Sequence, residues 1–115
     1  LAGAFITVLN PANQLKISRD SRRKSDLRQI QAGLELYRSD NGSYPASITC
    51  GSSLANGTIV YISNIPCDPK TGNPPYNYAL LTPSTYRLRA CLERSNDSDG
   101  SGACGTGVYY TVTNP

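Results

Sequence analysis

Between Leu1 and Asp40 a single residue, Pro11, interrupts a sequence that otherwise reads as helix. Leu27, Ile30, Leu34 and Tyr37 recur at i, i+3, i+7 and i+10 and form one apolar stripe, the mark of an amphipathic helix packed on a domain. Forty helical residues would extend about 60 Å at 1.5 Å per residue. The 75 residues that follow would make a globule only about 30 Å across. Half of such a rod has no domain to cover it, and that half is apolar: LAGAFITVL (1–9) has Thr7 as its one polar residue. An uncovered apolar helix needs lipid, other subunits, or both in turn. This inference requires the helix to run through Pro11, which removes a bond to the carbonyl of Thr7 and costs about 3 kcal/mol. The apolar run is shorter than the ~20 residues that cross a bilayer, and no basic segment precedes it as in a signal peptide. It reads either as a buried helix start or as the end of a longer apolar segment.

The helix is expected to stop at LELYRSDNGSYP (34–45). Asn41-Gly42 tolerates the left-handed conformation that ends helices, and Pro45 prevents resumption. Short strand-like runs follow at 58–62, 76–80, 85–92 and 107–113, rich in β-branched and aromatic residues. In TYRLRACL (85–92), Tyr86, Leu88, Ala90 and Leu92 are expected to face the core, with Arg87 and Arg89 facing solvent. The expected fold is α+β: a long N-terminal helix (1–40) packed on a small antiparallel sheet in a head (41–115). Residues 1–17 form the free half of the helix and 18–40 the half packed on the head. Leu36, opposite the apolar stripe, is a candidate subunit contact.

Val, Ile, Leu and Phe make up only a fifth of the chain, so the core needs reinforcement, and four cysteines can supply it. They allow three pairings. The most local, Cys50–Cys67 with Cys91–Cys104, is preferred because the second pair would staple the loop between two strands. Each bridge would contribute about 3 kcal/mol in the chain-entropy account. No C-x-x-C pair and no histidine is present to complete a zinc site. The loop Ser95–Ser101 sets oxygen-bearing side chains at alternate positions before Gly100. Asp97 and Asp99 are therefore candidate calcium ligands, although the closing glutamate of an EF-hand is missing.

The lack of histidine and of any carboxylate pair placed by spacing argues against an enzyme. Five basic residues (Arg19, Arg22, Arg23, Lys24, Arg28) within ten positions suit nucleic acid or acidic lipid, but a solvated helix face is preferred, with Asp20 and Lys24 paired at i, i+4. The eight tyrosines are expected mainly inside the sheet rather than as a stacking surface. Asn41, Asn56 and Asn96 each begin a glycosylation sequon.

Two stretches, LAGAFITVL leading to Asn10-Pro11 and RKSDLRQIQAGLELYRSDNGSYP (23–45), together resemble the N-terminal helix and helix-to-loop junction of the type IV filament superfamily, the type IV pilins and the pseudopilins of type II secretion. The resemblance covers residues 1–45 and is architectural beyond them. It implies a pilin fold, a precursor held in the bacterial inner membrane, leader cleavage with methylation of the new N-terminus, and release into a helical homo-oligomeric filament by assembly machinery. It also implies that the cleavage junction and an early glutamate lie upstream of Leu1. Filament assembly would then fall to Leu1, Phe5, Ile6, Leu9, Pro11 and Leu36. The first expectation is a major pilin on the cell surface. The second is a major pseudopilin in the periplasm, whose relatives often hold calcium in a C-terminal loop, a role open to Asp97 and Asp99. The third is a minor pilin that binds DNA or surfaces.

Overall fold

A computed structural model of the chain describes residues 10–115. Its first element is the helix α1 (Pro11–Asn41). Asn10 is extended, with φ −71° and ψ 112°, and its side-chain carbonyl accepts the Ala12 N–H at 3.0 Å. Proline belongs at a first helical position, where its missing N–H would have no partner and its fixed φ suits the helix. The described helix therefore begins with a cap at Asn10–Pro11, and the 1–9 part of the expected N-terminal helix, Leu1, Phe5, Ile6 and Leu9 included, lies outside the described residues. At its far end α1 stops where the sequence reading put the stop. Gly42 takes φ 83° and its N–H bonds the Arg38 carbonyl at 2.8 Å, a conformation open to glycine at no steric cost.

Six strands follow: β1 (Leu54–Asn56), β2 (Ile59–Ile62), β3 (Asn77–Thr82), β4 (Thr85–Leu92), β5 (Ala103–Cys104) and β6 (Gly107–Thr113). β1 and β2 form an antiparallel hairpin; the others form an antiparallel sheet in the order β3-β4-β6-β5. The fold is thus α+β, with one long N-terminal helix laid across antiparallel sheets. β1 and β5 were not expected. They are three and two residues long, too short for alternation to register.

The core lies between one face of α1 and the inner face of β4. Leu27, Ile30 and Leu34 are fully buried against a layer containing Tyr86, Leu88 and Ala90. Each such side chain contributes about 1.5–3 kcal/mol by leaving water. Tyr37 is partly buried, its ring edge-on to Tyr61 at 5.4 Å between centroids. Tyr44 meets Tyr86 edge-on at 4.7 Å and donates its hydroxyl to Glu35 at 2.7 Å, tying the chain after the stop back onto the helix. β4 alternates as expected on its inner face, where Tyr86, Leu88, Ala90 and Leu92 are buried. Arg87 and Arg89 alternate with them onto the opposite face, as expected. Both are half-buried on the outer face, and the Arg89 guanidinium lies 4.2 Å from the centre of the Tyr109 ring.

Both preferred disulfides are formed, Cys50–Cys67 and Cys91–Cys104. The first closes the segment carrying the β1–β2 hairpin. The second ties the end of β4 to β5.

Candidate functional site

Two regions of α1 bear on function: a free start and a polar seam. Every residue from Pro11 to Lys16 is exposed, Leu15 by 57 %, and the first buried residue of the helix is Asp20. Leu36 is also exposed by 57 %, on the side away from the head. Ile59, Val60 and Leu81 of the head are exposed to a similar degree. No described helix is long and apolar enough to cross a membrane.

The seam explains where the head begins. The buried positions Asp20, Arg23, Asp26, Leu27, Ile30, Gly33 and Leu34 follow helical spacing, but the first three are charged. Arg23 has no exposed surface. Its Nε and Nη2 donate to Asp68 at 2.8 and 2.9 Å, and Nη1 donates to Asp20 at 2.8 Å and to Glu93 at 2.7 Å. This planar, two-pronged pairing suits a guanidinium and not an ammonium. Asp20 in turn accepts the backbone N–H groups of Glu93 and Arg94 at 2.8 and 3.1 Å. Arg19 adds a second fork onto Glu93, at 2.5 and 2.7 Å. Asp68 is shaped for its role by a local turn, since it also accepts the Lys70 N–H at 2.9 Å.

One helix therefore grips two loops, each anchored by a disulfide: Asp68 follows Cys67, and Glu93 lies between Cys91 and Cys104. The electrostatics agree. Hydrogen bonds from Arg19, outweighing the effect of burial, hold the Glu93 carboxyl down to about 2. Burial pushes the Asp68 carboxyl up, but the Arg23 fork prevails and holds it below the ordinary range. Further along, Asp26 accepts the buried Tyr76 hydroxyl at 2.6 Å, and burial with that bond pushes the phenol far above its ordinary value.

These contacts correct the reading of the basic cluster. Arg19, Arg23 and Lys24 do not form a solvated face; they point into the joint, and among the five only Arg22 and Arg28 are exposed. Asp20 pairs with Arg23 at i, i+3, not with Lys24 at i, i+4. Lys24 instead places its ammonium 2.8 Å from Asp97 and 2.8 Å from Asp99. The candidate calcium ligands are thus brought together, but around a cation supplied by the chain. The Lys24 bonds hold Asp97 below its ordinary value, and the carboxylates outweigh burial to raise Lys24. Among the described residues no three His, Cys, Asp or Glu side chains gather as a metal site would require.

A groove of about 540 Å³ opens beside the first disulfide loop, lined by Ile48, Cys50, Ile65, Pro66, Pro75 and Tyr76 among others. No carboxylate, lysine or arginine lines it, so it holds no acid–base pair. Sequence reasoning missed the seam because its residues belong to three distant segments. Two local signals were available: Asp20 and Arg23 at i, i+3, and acids placed one and two residues after Cys67 and Cys91. No protein-family model, no curated protein and no solved structure matches this chain.

Proposed function

We propose that this chain is the structural subunit of a type IV pilus, a major pilin that polymerises through its N-terminal helix into a filament on the bacterial surface. The observation that carries the proposal is the free start of α1: six consecutive exposed residues, Pro11–Lys16, standing clear of the head and preceded in sequence by the apolar run LAGAFITVL. A helix so arranged has its lower part available to lipid before assembly and to other copies of itself afterwards. The head supports the reading from its side. It is α+β, bound by two disulfides as suits an oxidising exterior, and it is locked to the helix by a charged seam that resists sliding. We read this arrangement as a pilin fold. The cap at Asn10–Pro11 then acts as a joint between the head-bearing helix and the segment that assembles.

A major pseudopilin of type II secretion uses the same helix and is the second reading. Its distinguishing support, calcium at Asp97 and Asp99, is weakened because Lys24 already holds both carboxylates. A DNA-binding role for the Arg19–Arg28 cluster loses three of its five charges to the seam and is not carried forward. The experiment for the first reading replaces Phe5 and Leu9 by glutamate. Filaments should disappear under electron microscopy while the head keeps its wild-type melting temperature; filaments of normal length and number would contradict the proposal.

A further inference from the structure

The internal charge pairing leaves an imbalance at the surface. Among the described residues, six of the eight carboxylates have a basic partner within 4.0 Å, and only Glu35 and Asp40 do not. On the other side, Lys16, Arg28, Arg38, Arg87, Arg89 and Arg94 have no such partner. A modest net charge of +3 therefore leaves six cations but only two carboxylates without an opposite partner, although paired Asp99 remains exposed.

Two of these cations share one face. Arg87 and Arg89 are two residues apart on β4 and so point to the same side of the sheet, away from α1, about 6.6 Å apart along the strand. The pairing register places Asn77 of β3 and Thr111 and Thr113 of β6 beside them, with Tyr109 one pair further along. Asn77, Thr111 and Thr113 are exposed, and none of these neighbours is acidic. The Nε of each arginine is closed off from solvent without a hydrogen-bond partner, so the guanidinium groups lie along the sheet and not out into water. Arg89 rests on the Tyr109 ring, which fixes its plane. The result is a shallow platform with two guanidinium groups, one of them held on a ring, hydroxyls and an amide; the carboxylate that borders it, Asp68, lines a cleft with Asn77, Arg89 and Tyr109 but is already engaged by Arg23.

We propose that this outer face of the β3-β4-β6 sheet binds single-stranded nucleic acid. Charge complementarity selects an anionic partner, and a second copy of this chain is a poor one, since it offers only Glu35 and Asp40 free of basic partners. Among polyanions, a single strand uses both features of the platform. Its phosphates pair with guanidinium groups and hydroxyls, and its unstacked bases lie on guanidinium and tyrosine planes. Binding of this kind tolerates any sequence and weakens steeply with salt. The site is distinct from the Arg19–Arg28 helix segment and does not rest on the filament reading, which survives its failure.

The test is fluorescence anisotropy of a labelled oligothymidylate with the full chain in non-denaturing detergent, over a series of salt concentrations. Arg87→Gln with Arg89→Gln should weaken binding by about tenfold or more and reduce the slope of log K against log salt by about 1.4, at roughly 0.7 per phosphate contact. Arg22→Gln with Arg28→Gln, on the helix, should leave both unchanged. Arg87→Lys with Arg89→Lys keeps the charges and should keep the slope while losing affinity, because an ammonium presents no plane; this pair also serves if the glutamine variant fails to fold. The proposal is overturned if the wild-type chain does not bind, if the sheet glutamine pair binds as wild type, or if the helix pair loses as much. Equal affinity in the lysine pair, or equally tight binding of a base-free sulfated polysaccharide, would overturn the nucleic-acid assignment.

Discussion

Arg23 makes four charge-assisted hydrogen bonds to carboxylates on α1, on the loop after Cys67 and on the turn after β4. Burying a guanidinium is costly, and partners with this geometry offset that cost. Removing the cation alone leaves three buried or nearly buried carboxylates facing one another. Arg23→Met should therefore cost about 3–5 kcal/mol in chemical denaturation; a loss below about 1 kcal/mol would mean the seam is dispensable. The joint should also respond to acid. Glu93 titrates at about 2 in the folded chain against an ordinary 4.5, so the stability it contributes is complete above about pH 5 and is lost as pH falls through 4.5 towards 2. Asp68 and Asp97 are shifted the same way. Glu93→Gln should flatten this fall, measured as the urea midpoint between pH 6 and about 2.5; an unchanged profile would place the acid sensitivity elsewhere. Apart from the local Asp20–Arg23 spacing, these partnerships were not legible in the sequence. A charged residue at a buried helical position looks like the end of an apolar stripe until the carboxylates from distant segments are placed against it.

At the scale of elements, α1 and the hairpin meet by close approach. A Cβ on Gly33 would fall 2.2 Å from Cγ1 of Ile62, so glycine is what allows β2 to sit on the helix. Gly33→Ala should lower stability by about 1 kcal/mol, because overpacking costs about 1–3 and improved helix propensity returns up to about 1. Adding Ile62→Val should recover part of the loss. Gly33→Ala at wild-type or higher stability would show that the hairpin shifts freely. The helix stop, the two central strands β4 and β6, and the disulfide pairing could be read ahead, because each rests on local chemistry: Asn41-Gly42, period-two alternation, and short loops between cysteines. The start of the helix could not. Asn-Pro supports either a kink or a cap, and the extended Asn10 with its bond to Ala12 decides for the cap. The loop at Asp97 and Asp99 was likewise ambiguous, since two carboxylates accommodate a divalent ion or an ammonium, and Lys24 lies 73 residues from Asp97 in the chain.

At the scale of the whole molecule, labour is divided along one helix. From Arg19 to Tyr37, α1 belongs to the head, first through ions and then through apolar packing. From Pro11 to Lys16 it is exposed throughout, and Leu15 and Leu36 stay exposed on a chain whose core has few apolar residues to spare. In the filament subunit proposed above, Leu15 and Leu36 would face neighbouring copies, and the charged seam would hold the head at one height on the rod, so that every copy would present the same surface. The most direct measurement is filament yield, by electron microscopy and sedimentation, for Leu15→Asp with Leu36→Asp. Both side chains are exposed, so head stability should change by no more than about 0.5 kcal/mol. The account predicts that filaments are lost while the melting temperature holds; wild-type filaments from this variant would contradict it.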